Sequence, residues 1–388
     1  MPTGEPARRR AHRPCPPRVV LVLLLALCAA CAAPAPPAAP GAAELLYVAS
    51  ALEGGVVRVE ARTGRRRGPL LPAPPGVVQL AVGRRGAVLV RTVGVSRGNG
   101  LAFLAASGAA PAALSVALGP TATTVHLAGD GVRTAAVAYL PGGIPPAPCA
   151  LAVIDLERGA VVHRWAACRA REQPGALAVG DHGAGPVVYV GFWQEGVPLG
   201  SPVTGRVVAY DAARGVPLAA APVDGAPGGL GLAPARDRPG ARLYAAVAAL
   251  EPDPLVPLDD ATRFAQARGW RLLELDAVTL APEREFALPA AALGLTVAPD
   301  GSDAYAFASD YRPTGRLLQR IDLATGAVTP AGVAPGVGLS GPAVTADRLY
   351  VADPLNDRLW TADRAGRSRG YIPAVRRPTG VAAGPATP

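Results

Sequence analysis

Side chains able to do chemistry are scarce in this chain and stand mostly between its apolar runs. Of four histidines, only His126 lies in a short run of small and apolar residues, Thr123-Thr124-Val125-His126, where an imidazole could act as a general base. The acids Asp253, Asp259 and Asp260 cluster in one long polar stretch beside Glu251. Carboxylate oxygens suit a hard cation such as calcium, but these lack the regular spacing of a compact metal loop. Asp259 or Asp260 capping a short helix through Arg268 is the structural alternative. Three other groups mix aromatic, amide and charged residues: Trp193, Gln194 and Glu195; Asp310, Tyr311 and Arg312; and Asp353, Asn356 and Asp357. The chain has two asparagines, Asn99 and this Asn356. Such mixtures suit recognition of a partner. No nucleophile elbow, zinc spacing, phosphate-binding loop or dinucleotide fingerprint occurs, so no cofactor is expected beyond the calcium candidate.

The elements that must position these residues are short strands. In 388 residues there are 46 Gly and 43 Pro, half the chain is apolar, and only 5% is aromatic. That composition suits many strands joined by many turns. Every basic residue is Arg, and the formal net charge is +9. Removal of the segment carrying Glu5, Arg8, Arg9, Arg10, Arg13 and Arg18 leaves about +5, spread along the chain. No basic cluster is interleaved with aromatics, so nucleic acid is not an expected partner.

A basic stretch, the apolar run 19–33 and the small residues within it form a secretion signal. The run is short for a membrane-spanning helix, which needs about 20 residues. It ends in Leu27-Cys28-Ala29-Ala30-Cys31, which resembles a bacterial lipobox with Cys31 as the lipidated residue. The expectation is a lipoprotein signal over 1–30, a Pro/Ala-rich tether over 31–43 and a folded domain over 44–388. The alternatives are plain secretion or an uncleaved anchor. The expected address is outside the cytoplasmic membrane of a bacterium.

Cys149 and Cys168 bracket a hairpin centred near residue 158, so they stand almost opposite each other at its open end. In an oxidising compartment they should form a disulfide, contributing about 3 kcal/mol if unstrained.

Two markers recur seven times. One is a tight acidic or small turn between strand-like runs, at 60–64, 106–108, 155–159, 211–215, 276–279, 322–326 and 363–366. Successive turn starts are 46, 49, 56, 65, 46 and 41 residues apart, the period of a β-propeller. The other marker is a Pro followed by small residues, starting at Pro75, Pro120, Pro174, Pro227, Pro289, Pro335 and Pro378. It should open the innermost strand, A, of each blade. A Gly-rich turn, strands B and C, the acidic turn and an outer strand D follow. The first B strand near 44–49 lacks a preceding A strand, and the last A strand near 378–383 lacks a following B strand. Pairing them closes the ring and removes exposed edges. The expectation is all-β: seven four-stranded antiparallel blades, with one blade built from both termini.

The strand signature Leu46-Tyr47-Val48, repeated in Leu349-Tyr350-Val351, resembles the YVTN family of propeller repeats. The last unit resembles an NHL repeat through Asp353, Asn356, Asp357 and Arg358. The resemblance implies the fold, and implies that Asp353 and Arg358 brace their turn. Similar propellers of gluconolactonase type hold a metal with acidic and Asn ligands, and those of streptogramin-lyase type use a channel histidine, so a lactonase or lyase is one alternative function.

In such a ring the B–C and D–A connections share one face. The long connections are expected near 92–100, 140–148, 191–204 and 249–269, all B–C, while A–B and C–D turns stay short. Length concentrated on one face marks a binding face. The leading expectation is a monomeric, lipid-anchored module that binds an extracytoplasmic protein, peptide or glycan there, with Trp193 and Tyr311 as anchors. A structural envelope component is the third reading.

Overall fold

Seven four-stranded antiparallel sheets are arranged as the blades of a ring. The computed structural model describes residues 44–388 except 95–97, 106, 108–111, 114–122, 142–147, 182–184, 195–201, 236–239, 251–266, 308–317, 332–340, 374 and 385–388. Blade 1 contains β1 (Leu45–Ser50), β2 (Gly55–Glu60) and β3 (Leu71–Pro72). Blade 2 contains β4 (Val77–Val82), β5 (Val88–Gly94), β6 (Gly98–Leu104) and β7 (Ala112–Ala113). Blade 3 runs through β8 (Thr123–Gly129), β9 (Thr134–Leu140), β10 (Ala150–Asp155) and β11 (Ala160–Ala166). Blade 4 follows with β12 (Gln173–Asp181), β13 (Pro186–Gln194), β14 (Thr204–Asp211) and β15 (Pro217–Asp224). Blade 5 has β16 (Ala226–Pro234), β17 (Ala241–Ala249), β18 (Arg268–Asp276) and β19 (Pro282–Ala287). Blade 6 has β20 (Gly294–Val297), β21 (Asp303–Phe307), β22 (Leu318–Asp322) and β23 (Val328–Pro330). Blade 7 has β24 (Ala343–Val344), β25 (Arg348–Asp353), β26 (Arg358–Asp363) and β27 (Ser368–Ile372). The last strand, β28 (Pro378–Gly384), returns to blade 1 and pairs with β1, Val48 opposite Val381. The expected closure is therefore present, and the seven inner strands β28, β4, β8, β12, β16, β20 and β24 each touch the next around the axis.

The core lies between blades rather than within them. B strands are buried on both faces, so they read as continuous apolar runs. In β1, Leu45, Tyr47 and Ala49 pack toward blade 2, while Leu46 and Val48 pack toward blade 7. Seven such clusters fill the seven junctions. Crowding at the axis explains the small residues of the inner strands: a Cβ on Gly175 would lie 2.2 Å from the Pro227 carbonyl oxygen.

The two repeated sequence signals meet in one contact. In blades 3 to 6 the acid that opens the C–D turn accepts backbone N–H bonds from the next residues, as Asp155, Asp211, Asp276 and Asp322 do through Oδ1. That leaves the carbonyl one residue beyond the acid pointing at the preceding blade. There it accepts the hydroxyl of a B-strand tyrosine: Tyr189 to Ala277 at 2.8 Å, Tyr305 to Arg364 at 2.7 Å and Tyr350 to Ala61 at 2.8 Å. The tyrosine of the strand signature is thus an interblade latch onto the acidic turn.

The Pro-small marker also has a structural cause. Pairing of the inner strand slips by one residue at Gly175, Gly228 and Thr379, just after Pro174, Pro227 and Pro378. Each is a β-bulge, which bends the strand as it enters the channel. Pro289 departs from expectation, because it stands in a bend ahead of β20. Pro120 and Pro335 lie outside the described residues.

Two expectations need correction. The B–C connection of blade 2 spans only 95–97, because β5 and β6 continue pairing to Gly94 opposite Gly98. Arg268 opens β18 instead of ending a helix. The Cys149–Cys168 disulfide is formed, at the open end of the β10–β11 hairpin.

Candidate binding face and central channel

The inner strands enclose a channel cavity of about 920 Å³. Its walls are largely Gly, Ala, Val and Leu, with Gln79, His126, Asp130, Asp181 and Thr296 as polar members. Asp130 and Asp181 belong to the A–B end, where Asp130 Oδ1 accepts three N–H bonds of its own turn. Gln79 and His126 lie mid-strand in β4 and β8, deeper in the channel.

His126 is oriented by the neighbouring inner strand. Its Nε2 lies 3.1 Å from the Pro174 carbonyl, so Nε2 carries the proton and Nδ1 is the acceptor. Burial, and then the nearby Arg91 guanidinium, push its pKa down to about 4 against the weaker opposing pull of that carbonyl. The ring is neutral at physiological pH. Arg91, on β5, donates through Nη1 to Gln79 Oε1 at 3.1 Å, and burial lowers its pKa to about 10. Sequence reasoning missed Arg91. Its signal was an arginine inside the apolar run of β5, register partner of Gln79.

Trp193 is not a surface anchor. Its side chain is 1% exposed and packs with Trp270, Leu272 and Leu250 in the cluster between blades 5 and 6. The reason is that β13 continues to Gln194, keeping Trp193 paired with both Gln173 and Gly205. Gln194, next along, is half-buried at the strand end. Behind this corner Arg206 grips Glu172 with Nε and Nη2 at 2.6 and 2.7 Å. Burial pushes the Glu172 carboxyl up, but the Arg206 bonds and the Arg169 N–H outweigh it and hold it below the usual range. This pair braces the base of the 195–203 connection, another contact the sequence reading did not find.

Asp353 is likewise internal. Its carboxylate accepts from Asn356 Nδ2 at 2.8 and 3.0 Å and from Arg358 Nε at 3.1 Å, which is a turn brace. Asp357 is exposed, with φ of 53°, and its Oδ1 accepts from the Arg377 N–H of the D–A connection. His163 is on the outer strand β11, remote from the channel. Glu195, Asp310, Tyr311 and Arg312 lie outside the described residues, as do the metal candidates Asp253, Asp259 and Asp260, His182 and the lipidation candidate Cys31. Among the described residues no group of three His, Cys, Asp or Glu is arranged to hold a metal.

The strand bounds distribute the connections unevenly. B–C connections span 141–149, 195–203, 250–267 and 308–317 in blades 3 to 6. A–B turns in the same blades span 130–133, 182–185, 235–240 and 298–302. The long connections therefore leave the sheets at the end of the channel opposite the A–B turns.

Fold and closure define the chain as a seven-bladed β-propeller. No protein-family model matches it, and no curated protein matches it. Solved structures do. A functionally unknown protein from Desulfotomaculum acetoxidans DSM 771 is similar with a TM-score of 0.51 at 12% identity, over 88% of this chain and 98% of that one. The dihydro-heme d1 dehydrogenase NirN, solved in complex with DHE, is similar with a TM-score of 0.50 at 13% identity, over 87% and 74%. A chain of a mitotic checkpoint complex is similar with a TM-score of 0.50 at 15% identity, over 79% and 83%. Such identities establish a shared fold.

Proposed function

We propose that this chain is a lipid-anchored, extracytoplasmic binding module that engages a protein, peptide or glycan through its B–C loop face. The observation that supports this most is that the long connections of blades 3 to 6 all join B to C strands, on one face of an otherwise tightly turned scaffold. Among the described residues, two acids near that face are held in place: Asp353 braces a turn, and Glu172 is held by Arg206. Membrane attachment rests on the lipobox-like Cys31 and the tether that follows it. YVTN and NHL likeness rests on the tyrosine latch and the Asp353 brace. The test replaces 250–267 by a two-residue turn and compares pulldowns from extracytoplasmic extracts. Loss of a specific partner is expected, while retention of every partner contradicts the assignment.

The orientation of His126 supports a second reading, a channel enzyme of lactonase or lyase type. His126 lines the cavity, and its ring is neutral with Nδ1 left as an acceptor, as a general base requires. Activity on a lactone panel that disappears in His126→Gln would favour that reading over the binding module.

A further inference from the structure

We infer that the arginine-rich end of blades 1 and 2 is a docking surface for anionic phospholipid headgroups. The inference rests on the anchoring reading above and deepens it.

The chain enters the propeller at Glu44, whose carbonyl accepts the Ala61 N–H at 3.0 Å. The Glu44 backbone thus lies beside the C–D turn of blade 1, which closes at 61–64 before Arg65–Arg67 run back along β2, Arg66 bridging Val59. This turn and the start of the outer edge are basic, Arg62 and then Arg65-Arg66-Arg67-Gly68. Arg62, Arg65 and Arg67 are exposed. Arg66 is set apart, because it turns to Glu53 at 2.6 Å. The A–B turn of blade 2 opens on the same end and adds exposed Arg84 and Arg85. Three carboxylates lie close: Glu44 beside Ala61, Glu60, bound by Arg67 at 2.9 Å, and Glu157, 3.5 Å from Arg85. The end keeps an excess of guanidinium groups.

Guanidinium forks match phosphate oxygens well, and anionic bilayers attract basic residues within a Debye length of about 8 Å at physiological salt. Residues 34–43 between the apolar run and the domain reach at most about 35 Å when extended, enough slack for this end to meet an attached membrane. Docking this end also turns the face of the long connections outward, since β1 runs from Glu44 toward the opposite face.

The test uses the full chain, made in a bacterium and reconstituted into vesicles that are either zwitterionic or about one-third anionic phospholipid. Trypsin cleavage after Arg62, Arg65 and Arg67 should be slowed at least tenfold on anionic vesicles only, and the protection should vanish in high salt. Arg84→Gln with Arg85→Gln leaves those sites intact and should weaken protection roughly fivefold per arginine, as expected for charges at an anionic surface. Equal cleavage on both vesicle types, with the chain still floating with them, overturns the docking surface alone. Failure to float with either vesicle overturns the anchoring reading and the docking surface with it.

Discussion

His126 shows how burial sets a side chain's role. Its folded pKa of about 4 lies below the ordinary histidine value of 6.5, chiefly through burial. The unfolded chain therefore binds a proton that the folded chain refuses. The stabilisation is complete above pH 6.5 and is lost as pH falls toward 4. Depressed carboxylates such as Glu172 lose theirs only below the ordinary carboxylate range. Melting temperature should fall by a few degrees between pH 6.5 and 5, and His126→Gln should flatten that interval. An unchanged slope in the variant would show that another group titrates there. At this scale the sequence was only partly informative. His126 was visible as the one histidine in an inner-strand run. Trp193 was misread because strand length, not residue type, decides whether it is buried. Arg91 was missed because nothing local shows that β4 carries a glutamine opposite it.

At the scale of elements, the tyrosine latches and the disulfide carry separate expectations. Tyr350→Phe removes one buried hydrogen bond between blades 7 and 1 and leaves the Ala61 carbonyl short of a donor. The expected cost is about 1 kcal/mol in denaturant unfolding. A loss no larger than that of an exposed Tyr371→Phe control would remove the latch from the stabilising contacts. Reduction of Cys149–Cys168 should expose two thiols and lower stability by about 3 kcal/mol. Thiols titratable before reduction would contradict this. Strands and turns were legible here because their signals are local: alternating burial, a turn-opening acid and a glycine. The bulges at Gly175, Gly228 and Thr379 were not, since they depend on pairing with a neighbouring strand.

For the whole molecule, closure joins residues more than 300 positions apart, as Thr379 does in donating to the Val77 carbonyl at 2.6 Å. Deleting 376–388 removes β28, the inner strand of blade 1, and opens two junctions of the ring. Cooperative unfolding should be lost or shifted strongly downward, and an unchanged melting temperature would refute closure. Closure was readable because each terminus carried half of a repeat unit. The site was less readable, because the loops that would specify a ligand follow no repeat.

The most direct measurement is site-specific photocrosslinking in the native cell, with a photoreactive residue placed at Gln194 or Leu355 on the B–C face and, in parallel, at Val132 or Val278 on the opposite face. Discrete crosslinked partners from the first pair alone are expected. Partners captured only from the second pair, or equally from both, would contradict a binding face at the long connections.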